Sequence, residues 1–406
     1  MGFAEHYFRR YKALPPFFED CPEETVGIIV IIPCIDDDFI FQTLASLESA
    51  CPALTKIEVI VHVNSGEQTL TETVERNRII FSGLKEKAMS GYYKNFKLLP
   101  VQTEGTIKKK AGVGFARKTA MDEAVRRFDA INKPDGLIVS LDADSLVAKD
   151  YFIEIIKAKD NAKANCFTFQ FQHHYDATVY PENVIQACKL YEIYLRYYRL
   201  SLKMFDFPFA IHTIGSCFAI RAEAYIKLGG MPPRQGGEDF YFLQKAVKMN
   251  PVFEVRKQIV YPSPRISVRV PFGTGPAVKH IVEKGKYKVY NFELFFLLQA
   301  FYRQIPDLML ENKKIPTVLM DYIGVSRFDA ILAECRRYSS SSDAFVKRMI
   351  DHFDSFFIVK FLNAFNQSDA YPLMDVMDAA EMLLRYYGIR EIYDVYEQIM
   401  FQDINT

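Results

Sequence analysis

Residues 26–50 read VGIIVIIPCIDDDFIFQTLASLESA, and this stretch decides the fold class. Its first seven residues are almost all Val and Ile, the composition of a strand covered on both faces. Pro33 closes the apolar run, and the residues beyond it place apolar side chains at helical spacing, with Asp38 positioned to cap the helix. The alternation recurs. KIEVIVHVN (56–64) predicts a strand, FARKTAMDEAVRRF (115–128) a helix, GLIVSLDAD (136–144) a strand and YFIEIIKAKDNA (151–162) a helix. Strands alternating with helices imply an α/β layer built on a largely parallel sheet. Ligands of such sheets sit beyond the carboxyl ends of strands, so Cys34 to Asp38, Asn64 to Glu67 and Asp142 to Asp144 are the positions to read for chemistry.

Farther along, CFTFQFQ (166–172) alternates Phe with polar residues and predicts a strand buried on one face. A Tyr-rich helix is expected over 182–204, with Tyr191, Tyr194, Tyr197 and Tyr198 as a packed stripe. SCFAIR (216–221) predicts a strand, AEAYIKLGG (222–230) a helix ended by glycines, and Glu238 to Met249 a further helix. The Pro- and Gly-rich run from Tyr261 to Pro276 is expected as a long surface loop. Beyond residue 285 helical periodicity dominates, over 290–304, 326–338, 343–365, 373–387 and 389–401. The expected organisation is an N-terminal segment (1–23), an α/β catalytic domain (24–284) and a helical extension (285–406).

Composition narrows the function. The chain of 406 residues carries 50 basic and 50 acidic side chains, so it lacks the broad charge of a dedicated nucleic-acid binder or acidic-lipid binder. With 50% hydrophobic residues it is neither disordered nor fibrous. Its seven Cys contain no CxxC pair, which argues against a disulfide framework and a thiolate zinc site and points to a reducing compartment. No apolar run approaches the roughly 20 residues of a spanning helix. The expectation is a cytoplasmic protein, at most peripheral to the inner face of a membrane.

Three motifs carry chemistry. Asp142-Ala143-Asp144 leaves the buried strand LIVSL, and two hard carboxylates there suit Mg²⁺ or Mn²⁺ with positions left open for diphosphate oxygens. Gly236-Gly237-Glu238-Asp239 presents an acidic pair at the start of a helix, where a carboxylate is placed to deprotonate an acceptor hydroxyl. In TIKKKAGVGFARK (106–118), Lys108, Lys109, Lys110, Arg117 and Lys118 surround Gly112 and Gly114 at a helix start, a natural anion site. A dinucleotide fingerprint is excluded, because Arg117 stands where the third glycine belongs.

Taken in order, VGIIVIIPCIDDD, IEVIVHVNSGE, GVGFARKTAMDEA, GLIVSLDADSL and GSCFAIRAEAYIKLGGMPPRQGGEDFYF resemble the family 2 glycosyltransferases of the GT-A fold, over roughly residues 24–275. The resemblance implies an α/β GT-A type, Rossmann-like sheet and inverting transfer of a sugar from a nucleotide-sugar donor, usually UDP-linked. The acceptor would be a hydroxyl of a glycan, a lipid-linked sugar or a protein. It further implies a metal site at Asp142 and Asp144, a general base at Asp239 with Glu238 beside it, and nucleotide contacts from Pro33, Cys34, Asp36, Asn64, Arg117 and Asp142. Four departures stand out: Asn64 replaces the usual Asp at the end of the second strand, Cys34-Ile35-Asp36 replaces Thr-Tyr-Asn, Lys118 stands where Asn is common, and Tyr261-Pro-Ser-Pro-Arg265 occupies the region where a His is common. Asn64 and the absent His keep a second expectation open, a catalytically silent GT-A module that serves as a scaffold or partner-binding protein.

Other candidates have simpler explanations. His173 and His174 lack carboxylates at metal spacing and are expected in surface or core roles, while His212 is a weaker candidate for touching acceptor. Arg265 and Arg269 sit in the Pro-rich loop, where they suit either a lid over phosphates or a plain connector.

Overall fold

The computed structural model describes residues 2–11, 13–52, 56–107, 112–161, 163–249, 251–267 and 272–406. Two compact units are present, Met1–Glu182 with Thr213–Ala277, and Asn183–His212 with Val278–Thr406.

The first unit has the α/β architecture expected of a GT-A type fold. Among the described residues eight strands form its sheet: β1 (Val26–Cys34), β2 (Lys56–Gly66), β3 (Lys97–Thr106), β4 (Leu137–Ser140), β5 (Leu146–Val147), β6 (Cys166–Phe171), β7 (Phe218–Arg221) and β8 (Phe253–Tyr261). Their order is β3-β2-β1-β4-β7-β6-β8-β5. β1 pairs in parallel with both β2 and β4, β2 with β3, and β6 with β8, whereas β7 runs antiparallel to β4 and β6, and β5 antiparallel to β8. Ile29 to Ile32 are wholly buried, which the Val/Ile run of β1 requires for a strand with layers on both faces. The chain leaves β1 toward β2 on one side and returns with β4 on the other, so a topological switch point lies between β1 and β4.

Several expectations change in detail. Pro33 does not end β1, which continues to Cys34 along β2 after its pairing with β4 stops at Ile31; a residue without N–H is tolerated where one side of a strand is unpaired. The helix Ile40–Ala50 has no side-chain cap; Asp37, not Asp38, meets the turn, its Oδ1 accepting from the Phe39 N–H at 3.3 Å. Every residue of β6 is buried, Thr168 and Gln170 included, so this strand is covered on both faces and not on one. GLIVSLDAD yields a strand only from Leu137 to Ser140, which leaves the carboxylates in the loop beyond it. The run from Tyr261 begins buried at Pro262, Ser263 and Pro264, where the Tyr180 and Ser263 hydroxyls meet at 3.1 Å, and a helix starts at Thr274 (Thr274–Lys284). Residues 268–271 of that run, including Arg269, lie outside the described residues, as do Lys108, Lys109 and Lys110.

The second unit is helical. Most of the helix Glu182–Lys203 belongs to it, and the tyrosine stripe packs as expected, Tyr197 against Phe292 and Phe295 and Tyr198 against Tyr290 and Phe295. Periodicity over 343–365 resolves into two helices, Ser342–His352 and Ser355–Ala364, because Asp354 accepts from the N–H groups of Phe356 and Phe357 and starts a new one. Among the described residues no helix is long and apolar enough to cross a membrane.

Candidate functional site

The loops after β1 and β4 diverge at the switch point, and the acidic motifs converge on them. Arg117, on the second turn of the helix Val113–Ala130, is 2% exposed and joins two of the motifs. Its Nη1 donates to Glu238 Oε1 and its Nη2 to Asp142 Oδ1 at 2.6 Å. Gly215 forms the floor beneath the guanidinium, since a Cβ there would lie 2.6 Å from Arg117 Nη2. The Gly215 carbonyl is in turn held by the hydroxyl of Ser140, the last residue of β4, at 2.7 Å.

The glycines of the GVG turn have a packing role. The Gly114 N–H donates to the Arg234 carbonyl at 3.1 Å, and a Cβ on Gly114 would come within 2.4 Å of that oxygen. A side chain at this position would push the helix bearing Arg117 away from the loop that leads to Glu238. His62, on β2, supports the same helix: its Nδ1 lies 3.0 Å from the Ala116 carbonyl and its Nε2 2.9 Å from Thr103 Oγ1. Burial pushes the His62 imidazole down to about 4 against the opposing pull of the Ala116 carbonyl, so the ring is neutral at physiological pH, donating from Nδ1 to that carbonyl.

Glu238 is 2% exposed, and Asp239 beside it is partly open to solvent. Burial pushes the Glu238 carboxyl up to about 7, with Asp239 and Asp142 adding to the rise and Arg117 opposing it. The Asp239 carboxyl is raised as well, by burial first, while Arg117 and the N–H of Phe240, 2.7 Å from Oδ1, pull it down. A raised carboxylate pKa makes a better proton acceptor.

Asp37 and Arg265 form the other half of the cluster. Asp37, 3% exposed in the loop after β1, accepts from both terminal guanidinium nitrogens of Arg265, with Nη1 at 2.9 Å from Oδ1. Arg265 Nη2 also lies 2.8 Å from Asp144 Oδ2. The remaining nucleotide-turn candidates are latched from the helix Thr71–Met89: Asn77 Oδ1 accepts from the Asp36 N–H at 2.8 Å, and Asn77 Nδ2 donates to the Asn64 carbonyl at 3.1 Å. Asp36 adopts a left-handed backbone (φ 48°) and pairs with Arg76, while Cys34 is buried with its thiol 3.8 Å from the Asp37 carbonyl. Asp37, among the acids after the first strand that helix capping alone would explain, instead binds Arg265, whereas Asn77, Gly215 and His62 carry no local sequence signal. His173 is buried with Nε2 3.1 Å from Thr274 Oγ1, and His212 lies in the helical unit, 2.7 Å from Asp403. A cleft of about 630 Å³ under the N-terminal segment, lined by Phe8, Phe18 and Arg126 among others, includes none of the cluster residues.

Five carboxylates (Asp37, Asp142, Asp144, Glu238, Asp239) thus surround two guanidiniums (Arg117, Arg265). Among the described residues no group of three or more His, Cys, Asp or Glu side chains is arranged to hold a metal ion. Asp142 and Asp144 are instead two hard donors in an acidic surrounding. That set fits a divalent cation shared with substrate phosphates, which takes only one or two protein carboxylates, and does not fit one caged by protein alone.

No family model matches the chain, and no curated protein matches it. Solved structures do resemble it at low identity. Residues 1–349 of TarS from S. aureus are 14% identical, with a TM-score of 0.40, covering 81% of this chain and 91% of that one. The same TarS segment in complex with UDP-GlcNAc is 15% identical with a TM-score of 0.42 and the same coverage. The mannosyltransferase PcManGT from Pyrobaculum calidifontis, in complex with GDP-Man and Mn²⁺, is 15% identical with a TM-score of 0.37, covering 99% of this chain and 93% of that one.

Proposed function

We propose that this chain is an inverting glycosyltransferase that moves a sugar from a nucleotide-sugar donor, UDP-linked in the first instance, to the hydroxyl of a glycan, a lipid-linked sugar or a protein. One observation carries the reading: carboxylates and arginines from five separated segments meet where the loops after β1 and β4 part, the place at which sheets of this type bind nucleotides.

Roles follow from exposure and pairing. Asp239, partly open and with a raised carboxyl, takes the proton of the acceptor hydroxyl as it attacks the anomeric carbon in line, which inverts the configuration. Glu238 is a positioning residue, because its oxygen is spent on Arg117. Arg117 in turn fixes the direction of Asp142. A divalent cation, Mn²⁺ or Mg²⁺, held by Asp142 and Asp144 would offset the charge on the departing diphosphate. Pro33, Cys34, Asp36 and Asn64 lie at the carboxyl ends of β1 and β2 and are assigned to the nucleotide, with Asn77 locking that turn.

The test is a thermal-shift panel of UDP, GDP, dTDP, CDP and their sugars, each with Mn²⁺, Mg²⁺ or EDTA, followed by product analysis with the donor that stabilises. A metal-dependent shift with one nucleotide, and a product of inverted anomeric configuration, are the expected results. No shift at millimolar ligand overturns the reading in favour of a silent scaffold.

A further inference from the structure

Arg265 is gripped from two loops. Asp37, after β1, accepts both of its terminal nitrogens, and Asp144, after β4, lies 2.8 Å from Nη2, so one guanidinium ties together the two segments that diverge at the switch point. The two acids differ in a way that matters. Asp37 is nearly inaccessible, with its side chain 4% exposed and a fork-to-fork geometry, whereas the Asp144 side chain is 24% exposed and holds a single nitrogen of Arg265. The grip on Asp37 is therefore the anchor and the grip on Asp144 the exchangeable contact. Arg265 Nε is buried with no hydrogen-bond partner among the described residues, a donor that an incoming anion could satisfy.

A guanidinium and a divalent cation are both positive, and on one carboxylate they repel and compete for the same oxygen. We propose that Arg265 couples metal binding to donor binding. Without nucleotide its guanidinium is a counter-ion of Asp144 and holds off free divalent cations. When a nucleoside diphosphate arrives with its cation, Arg265 exchanges Asp144 for phosphate oxygens while Asp37 keeps hold of the guanidinium, and the cation takes the released carboxylate. Arg265 is then a residue that recognises the diphosphate. The inference rests on the nucleotide-sugar reading above, yet its first arm needs no nucleotide.

The experiment titrates Mn²⁺ into wild-type protein, Arg265→Gln and Arg265→Lys, following free Mn²⁺ by electron paramagnetic resonance, alone and with the nucleoside diphosphate that stabilises the wild type. With Mn²⁺ alone, Arg265→Gln is expected to bind about tenfold tighter than wild type, since a competing charge is gone. Arg265→Lys, which keeps the charge but cannot fork onto Asp37 while reaching Asp144, falls between the two. With nucleotide, the factor by which nucleotide tightens Mn²⁺, equal by linkage to the factor by which Mn²⁺ tightens nucleotide, is about tenfold smaller in Arg265→Gln than in wild type, the direct attraction between cation and diphosphate remaining in both. Unchanged affinity for Mn²⁺ alone in both variants overturns the proposal even if nucleotide binding is confirmed. Equal nucleotide affinity of wild type in Mn²⁺ and in EDTA overturns it as well, in favour of a guanidinium that serves the diphosphate without metal. Failure of every nucleotide to bind, with Mn²⁺ alone still tighter in Arg265→Gln, instead removes the donor reading and leaves the competition at Asp144 standing.

Discussion

Arg117 is boxed between Asp142, Glu238 and the backbone of Gly215, so its guanidinium has one place to lie. Replacing it by Met leaves Glu238 in the interior without its counter-charge, and loss of one partner of a buried pair costs about 3–5 kcal/mol. Urea unfolding of Arg117→Met should show that loss; a change within error would mean the pair is dispensable. Gly215→Ala is the gentler probe. Its methyl would press on the locked guanidinium, and the expected result is about 1–3 kcal/mol of destabilisation together with weaker nucleotide binding, because Asp142 turns with Arg117. Asp239→Asn tests the base: turnover should fall about 10²- to 10⁴-fold while nucleotide affinity, read by the same thermal shift, stays near that of wild type. Equal losses in both would remove Asp239 from the proton-transfer role. The motifs that hold these residues were legible in the sequence, since DAD after LIVSL and the glycine-led ED pair are local patterns. Their partners were not. Arg117 meets Glu238 across 121 residues and Arg265 meets Asp37 across 228, and no spacing rule reports a pairing at that distance.

At the scale of elements, β2 carries His62 as a strut between β3 and the first turns of the helix Val113–Ala130. Its imidazole is held neutral by burial, with a pKa of about 4 against 6.5 for the free side chain. Below pH 6.5 the unfolded chain takes up a proton that the folded chain refuses, so this residue's contribution to stability is complete above that pH and is lost progressively down to about 4. Stability measured from pH 7 to 4 should therefore fall more steeply for wild type than for His62→Gln, by up to one proton's worth of slope. Parallel slopes would show that the ring is charged in the fold. Strand and helix alternation in this unit was visible as hydrophobic periodicity, and the observed elements follow it for β1, β2 and β4. The helix Thr71–Met89, β3 and β8 are not legible in that periodicity, for an identifiable reason in β8: FEVRKQIVY is punctuated by charged residues, and only Val255, Ile259 and Val260 are buried. Hydrophobic patterning reports burial, and a half-exposed strand gives little of it.

At the scale of the molecule, the helical unit is organised around a buried ionic knot. Asp403, on the helix Val395–Asn405, accepts from Arg199 at 2.6 Å and lies 2.7 Å from His212 Nε2, with Arg196 Nε at 4.0 Å. Burial alone would raise its carboxyl, but His212 and Arg199 hold it well below the usual carboxylate range. Asp403→Asn should cost about 3–5 kcal/mol, because it removes the buried carboxylate charge that Arg199 and His212 share, and amide exchange should rise over residues 183–212 and 395–405. Exchange unchanged in those segments would refute the knot as an organiser of the unit. The sequence by itself determined the α/β alternation, the place of the acidic motifs at strand ends and the helical character of the C-terminal part, because each is written in residues a few positions apart. Tertiary structure alone decided that the helix Glu182–Lys203 joins the C-terminal helices, that Asp37 and not Asp38 faces inward, and that both carboxylates of the DAD motif are held by arginines. Charge pairing and burial depend on which distant segments the sheet brings side by side, and that is a property of the folded chain.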